Sequence, residues 1–212
     1  MPIHYTKESA VARIVLDNPP VNVFTPSLHK EFLDILKDFV ADESVHVAVW
    51  SATGDRAFCA GGDMGRSAPS RRWDMFTESA DGVPFETLGR IPKIVVCKIN
   101  GIAMGGGMVM SMYADLVIAS DEARIRIPDL TRGVYEAFIA ARLPQRVGTL
   151  RANHLMYESE WLTPQQALEI GLVGRVVPHA DLDAALSDQP DRPDTAVICT
   201  PAHLHVDIAT RL

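Results

Sequence analysis

The sequence predicts an α/β fold, on three observations. Apolar runs of strand length alternate with segments whose apolar residues recur at helical spacing. With 212 residues, 47% hydrophobic and 22% charged, the chain can bury one sizeable core and does not have the composition of a disordered or disulfide-stapled protein. Two glycine-rich segments each follow an apolar run directly, where such folds turn from strand into helix.

The elements follow in order. Val11–Leu16 (VARIVL) is the first predicted strand, and Asp17-Asn18-Pro19-Pro20 ends it because prolines cannot continue a ladder. Thr25 suits a helix N-cap and Pro26 the first helical position. Leu28, Phe32, Ile35, Leu36 and Phe39 then form one apolar stripe. Further strands are predicted over 45–50, Ile94–Ile99, 116–119 and 124–127, the last alternating as a half-exposed strand does. A long polar stretch over 65–90 separates the second and third strands, with a short helix expected around 85–88. Stretches of that length usually carry function. Thr163-Pro164-Gln165-Gln166 reads as a capping box, Gly171 closes its helix, and a strand is expected over 172–177.

Several function classes recede. A net charge of −7 and the lack of a basic patch argue against nucleic acid or a membrane surface as partner. Cys59, Cys97 and Cys199 have no metal-like spacing, and His203 and His205 lack companion ligands, so no metal is expected. The sparse, odd cysteine count suits a reducing cytoplasm. The N-terminal residues show no secretory pattern, and no apolar stretch approaches the roughly 20 residues that span a bilayer.

The chemistry concentrates in the glycine-rich segments. Ala57-Phe58-Cys59-Ala60-Gly61-Gly62-Asp63-Met64 follows a strand and a Thr53-Gly54-Asp55 turn. Asn100-Gly101-Ile102-Ala103-Met104-Gly105-Gly106-Gly107-Met108 follows another, and 108–113 continues as a buried helix. Glycines at a helix N-terminus leave backbone N–H groups open to a partner, and the helix dipole favours negative charge there. That suits an anion or a developing oxyanion; the other reading is a turn for tight strand–helix packing. Neither segment matches a phosphate-loop or dinucleotide fingerprint. Cys59, with no histidine near it in sequence, reads as a core residue rather than a nucleophile.

Taken in order, VLDNPPVN, FCAGGD, NGIAMGGG, ADLVIAS and TPQQALEIGLVGRVVP resemble the enoyl-CoA hydratase/isomerase family, the crotonases, from about Val11 to Leu186. The resemblance implies a crotonase-like spiral of β-β-α turns and an enzyme acting on an acyl- or enoyl-CoA thioester. Coenzyme A would be part of the substrate, with no separate cofactor. It places two oxyanion donors at Gly62 and Gly106, and Val23, Ala60 and Met64 along the CoA channel, where the three equally suit plain packing. Hydratases of the family carry a glutamate where this chain has Val109. A second family glutamate, after a proline, corresponds to Asp129 in Pro128-Asp129, one methylene shorter. Asp129 is the candidate acid/base, against a surface or helix-cap aspartate. Glu136 falls where the family's dienoyl-CoA isomerases place an acid, across a one-residue gap. It equally suits the first turn of a helix, and Tyr135 beside it offers a hydrogen-bond donor. Arg66, Arg71, Arg72 and Lys98 read as solvated cations rather than CoA contacts.

The resemblance implies isomerase or hydratase chemistry, with Val109 moving weight from hydration towards double-bond isomerisation. Decarboxylation or C–C hydrolysis on the same scaffold, or a non-catalytic acyl-CoA binder, are the alternatives. It also implies a homo-oligomer, trimer or hexamer. Residues 1–186 are expected to form one crotonase-like, acyl-CoA-binding core. Beyond it 187–212 forms an atypical tail, with a linker over 187–193, a strand over 195–200 and a helix over 205–212, where crotonases continue with further helices.

Overall fold

The computed structural model describes residues 2–63 and 87–186. In chain order the elements are β1 (Ile3–Glu8), β2 (Val11–Leu16), α1 (Pro26–Ala41), β3 (Val47–Ala52), β4 (Ala57–Cys59), β5 (Ile94–Ile99), β6 (Ile102–Met104), α2 (Gly106–Tyr113), β7 (Leu116–Ser120), β8 (Arg124–Arg126), α3 (Ala137–Val147), α4 (Thr149–Glu158), α5 (Pro164–Glu169) and β9 (Arg175–Val177). One sheet has six strands in the order β1-β2-β3-β5-β7-β9; the other has three, β4-β6-β8. Among the described strands β1 and β2 pair antiparallel and the other pairs are parallel, with one isolated antiparallel bridge between Ile125 and Leu162. The chain therefore winds: β3, β5 and β7 each enter the large sheet, and β4, β6 and β8 each follow into the small one. This is the α/β spiral expected from the sequence.

Local chemistry explains the elements. Val95, Val96, Cys97, Lys98 and Ile99 of β5 are all buried, as in a parallel strand covered on both faces. The Thr25 hydroxyl accepts the Leu28 N–H at 3.2 Å and caps α1, whose Leu28, Phe32, Leu36 and Phe39 lie in the core. Phe32 meets the buried Trp50 ring edge-on, centroids 5.9 Å apart. At α5 the capping box is complete: Thr163 Oγ1 accepts the Gln166 N–H, and Gln166 Oε1 accepts the Thr163 N–H.

The differences from expectation have physical causes. The strand expected at 45–50 runs two residues later, because Val45 and His46 lead in from the turn after α1. Leu33 takes a fully buried place on α1, while Ile35 only packs at the core's margin. Leu172 and Val173 belong to a turn whose N–H groups both bond Ala167 O, so β9 begins only at Arg175. β1 escaped notice because only Ile3 of IHYTKE is buried; the other side chains are partly or fully exposed. β4 and β6, at three residues each, are too short to show a period. Lys98 is not solvated. It is buried, and its ammonium meets Asp183 at 2.6 Å. Met64, Arg66, Arg71, Arg72, residues 85 and 86 of the helix expected at 85–88, and the tail from 187 lie outside the described residues, while 87 and 88 are helical as expected. Among the described residues, no helix is long and apolar enough to cross a membrane.

Candidate functional site

β4 and β6 are adjacent parallel strands, so the two glycine segments that follow them meet. Gly61 has φ +92°, and a Cβ there would stand 3.2 Å from Met104 O and 3.4 Å from Gly106 N. Only a glycine brings the two chains this close with that backbone twist. Gly106 is the first residue of α2, and the first bond inside the helix is Val109 N–H to Gly105 O at 3.0 Å. The Gly106, Gly107 and Met108 N–H groups thus have no acceptor within the helix.

The Gly62 N–H has a defined direction. Phe24 bridges this segment through two bonds, Phe24 N–H to Gly61 O at 2.8 Å and Asp63 N–H to Phe24 O at 2.9 Å. Successive peptides of an extended chain alternate, so the intervening Gly62 N–H points away from Phe24.

A buried asparagine braces this arrangement. Asn22 has φ +53°, its Oδ1 accepts the Asn18 N–H, and its amide donates to Ala57 O at 2.8 Å. It fastens the prolyl loop to β4. The Ala60 N–H donates to Val21 O at 3.0 Å, and Val23 O accepts the Asn18 amide at 2.7 Å. Val23 and Ala60 therefore lie on the two strapped segments, both half-buried. Sequence reasoning quoted Asn22 only as part of a motif. The available signal was an asparagine, the residue besides glycine that best tolerates a left-handed backbone, just after a Pro-Pro turn.

Asp129 comes to the same place from the other side. It follows β8 and Pro128 and opens a 3-10 turn over Leu130–Arg132. Its Oδ1 would lie 3.3 Å from a Cβ on Gly105, whose φ is +50°. Its Oδ2 is enclosed and has no hydrogen-bond partner among the described residues. Burial pushes the Asp129 carboxyl above the usual aspartate range, against the pull of its own backbone N–H and the Arg132 charge.

Glu136 is the N-cap of α3 rather than a first-turn residue, with a carboxylate oxygen accepting the Phe138 N–H at 3.2 Å. Burial lifts its carboxyl to about 7; the Phe138 bond opposes the rise and the neighbouring Asp129 charge adds to it. The cap and the electrostatic pairing with Asp129 are therefore properties of one side chain. Tyr135 stands 69% exposed. Val109 is wholly buried in α2 and offers no proton. Among the described residues, no cluster of His, Cys, Asp or Glu is arranged to hold a metal ion.

The site thus combines two backbone segments with directed N–H groups and two carboxyls raised towards neutrality. Groups of this kind can stabilise a developing anion and move a proton beside it.

The comparisons with known proteins agree in extent. The family described as enoyl-CoA hydratase/isomerase matches residues 6–188. The carnitinyl-CoA dehydratase of Proteus mirabilis (strain HI4320) is 31% identical over 191 residues, covering 88% of this chain and 73% of that protein. An enoyl-CoA hydratase from Bacillus anthracis superposes with a TM-score of 0.79 at 28% identity, covering 87% of this chain and 73% of the other. Pseudomonas aeruginosa DspI gives 0.80 at 26% identity, covering 87% and 71%. With its spiral of paired strands and its two apposed glycine turns, the chain belongs to the enoyl-CoA hydratase/isomerase family, the crotonases.

Proposed function

We propose that the protein moves a proton on an enoyl-CoA thioester through an enolate, with double-bond isomerisation as its reaction. The thioester oxygen lies between the Gly62 and Gly106 N–H groups, so charge that develops on it meets donors already oriented. Asp129 takes the α-proton. Glu136, raised to about 7 and so partly protonated at neutral pH, returns a proton to the γ-carbon. The observation that carries the proposal is the enclosed, unpartnered Asp129 oxygen against the Gly105 backbone. A carboxylate desolvated without an ion pair is poised for proton transfer. Val109 removes the side chain that would activate water from α2, which favours isomerisation over hydration. Coenzyme A enters as part of the substrate, and no resident cofactor is called for. Val23 and Ala60 border the CoA, and Tyr135 offers a hydrogen-bond donor beside Glu136.

A second reading is reversible addition of water across the enoyl double bond. It is favoured by the 31% identity to a carnitinyl-CoA dehydratase. Both readings share the enolate and separate at the fate of its proton. The test supplies 2-enoyl-, 3-enoyl- and dienoyl-CoA esters in deuterated water and follows each product by mass spectrometry. Movement of the double bond with deuterium at the α- or γ-carbon supports isomerisation. A 3-hydroxyacyl product supports hydration. Tight binding of every ester without turnover overturns both and leaves an acyl-CoA binder. Malonyl-type and β-diketone esters in the same panel report decarboxylation or C–C cleavage. Assembly as a trimer or hexamer is the corresponding proposal for quaternary structure, read by size-exclusion chromatography with light scattering.

A further inference from the structure

We propose that Cys59 is a positioning residue that aligns both backbone donors through its thiol and its main chain. The inference rests on the reading of Gly62 and Gly106 as donors.

Cys59 ends β4 and is wholly buried. Its Sγ accepts the Gly61 N–H at 3.4 Å, within the reach of a sulfur acceptor. The Gly61 carbonyl is held from the opposite side by the Phe24 N–H at 2.8 Å. The Gly61 carbonyl and the Gly62 N–H belong to one planar trans peptide, so fixing the oxygen fixes the N–H in the reverse direction. Gly61, at φ +92°, is the joint between that peptide and the one before it. The thiol holds one side of the joint and Phe24 the other. Without the thiol, the Gly61 N–H is a buried donor with no acceptor, and the glycine is free to rotate about it.

The same residue touches the second donor segment. A Cβ on Gly107 would run into the Cys59 carbonyl and stand 2.9 Å from its Cβ. Cys59 therefore backs directly onto the residue that follows Gly106, and it is in contact with the segments bearing both donors. A nucleophilic role does not suit it. Burial pushes the thiol up to about 12, and the side chain is wholly enclosed. A neutral, enclosed thiol suits a group that accepts a hydrogen bond and does not react.

The experiment compares Cys59→Ala with Cys59→Ser, which keeps a small acceptor at the γ position. Three readouts are taken: kcat and KM on the ester that is turned over, the ultraviolet enolate band of bound acetoacetyl-CoA, and calorimetric affinity for a saturated acyl-CoA. Cys59→Ala is expected to lower kcat roughly tenfold, short of the roughly hundred- to thousandfold loss of a donor itself. It should weaken the enolate band in step, with KM and saturated-ester affinity within about twofold of wild type, while Cys59→Ser recovers most of the loss. If Cys59→Ala does not fold, Cys59→Val, which fills the space without an acceptor, takes its place. A full enolate band and full kcat in the alanine or valine variant overturn the proposal. So does an equal loss in the serine variant, or a loss confined to thermal stability. A wild-type protein that binds acetoacetyl-CoA without an enolate band overturns the donor reading itself, whatever the cysteine variants do.

Discussion

Two groups of carboxylates in this protein sit in opposite surroundings. Along the β1–α1 edge, Lys7 places its ammonium 2.6 Å from both Asp38 and Asp42, and the Tyr5 hydroxyl donates to Asp38 at 2.8 Å. The hydrogen bonds from Lys7 hold both aspartates below the ordinary carboxylate range. At the glycine turns, Asp129 and Glu136 have no ion pair among the described residues, and burial pushes both up. The side chains are chemically alike; the partner and the solvent decide what each is for. A paired surface acid is locked as a charge, whereas burial without an ion pair makes an acid hold its proton to higher pH.

Breaking the second environment should have the largest effect. Asp129→Asn keeps the shape and abolishes the titration, so turnover of the responsive ester should fall by about a hundredfold to ten-thousandfold, with the thermal midpoint held or raised. Steady-state kinetics with parallel calorimetry reads both, and undiminished turnover would remove Asp129 from the proposed reaction.

Next comes the backbone that faces the carboxyl. Gly105→Ala and Gly54→Ala both place alanine at positive φ, and at Gly105 the ψ of −119° lies outside the left-handed helical well that other residues can enter, so the strain is greater there. Only at position 105 does the added methyl face Asp129; around Gly54 nothing lies within 4 Å. Denaturant titration should give the larger stability loss for Gly105→Ala, and activity should fall only in that variant while Gly54→Ala keeps it.

The pH dependence sharpens the contrast through its sign. Glu136 has a folded pKa above its unfolded one. Its contribution to stability is fully present below about pH 4.5 and is lost as pH rises towards 7, by roughly 3 kcal/mol at most. Glu136→Gln should flatten that part of the stability profile and remove any activity limb near pH 7. Asp38 and Asp42 run the other way: their contribution is present above the ordinary carboxylate pKa and is lost as pH falls through their lowered values. Lys7→Gln should therefore lower stability slightly at neutral pH, since the pair is exposed to solvent, and the difference from wild type should vanish as acid protonates both aspartates. This is the smallest of the four effects, and acid titration followed by circular dichroism measures it.

Much of this was legible in the sequence where local chemistry decides the outcome. The α1 cap, the α5 capping box and the fully apolar β5 all announce themselves through neighbours in the chain. The meeting of FCAGGD with MGGG was legible only through family resemblance, because it depends on β4 and β6, which are too short to leave a periodic trace. Glu136 read equally as site or helix terminus; the structure shows the helix terminus, as the N-cap of α3, with a carboxyl that burial raises. The burial of Lys98 was invisible because its partner, Asp183, is far away in sequence and reaches it only through the fold. Asn22 was quoted but not weighed, since its value lies in a hydrogen bond to Ala57 across the prolyl loop.

The pairing of β4 with β6 also acts as a ruler. Neighbouring parallel strands lie about 4.8 Å apart, and the two glycine turns leave adjacent strands. An oxygen that accepts two N–H groups at about 2.9 Å each fits between donors set at that interval. The aperture for the proposed thioester oxygen thus starts from the repeat distance of a sheet, within which the proposed Cys59 contacts hold its edges.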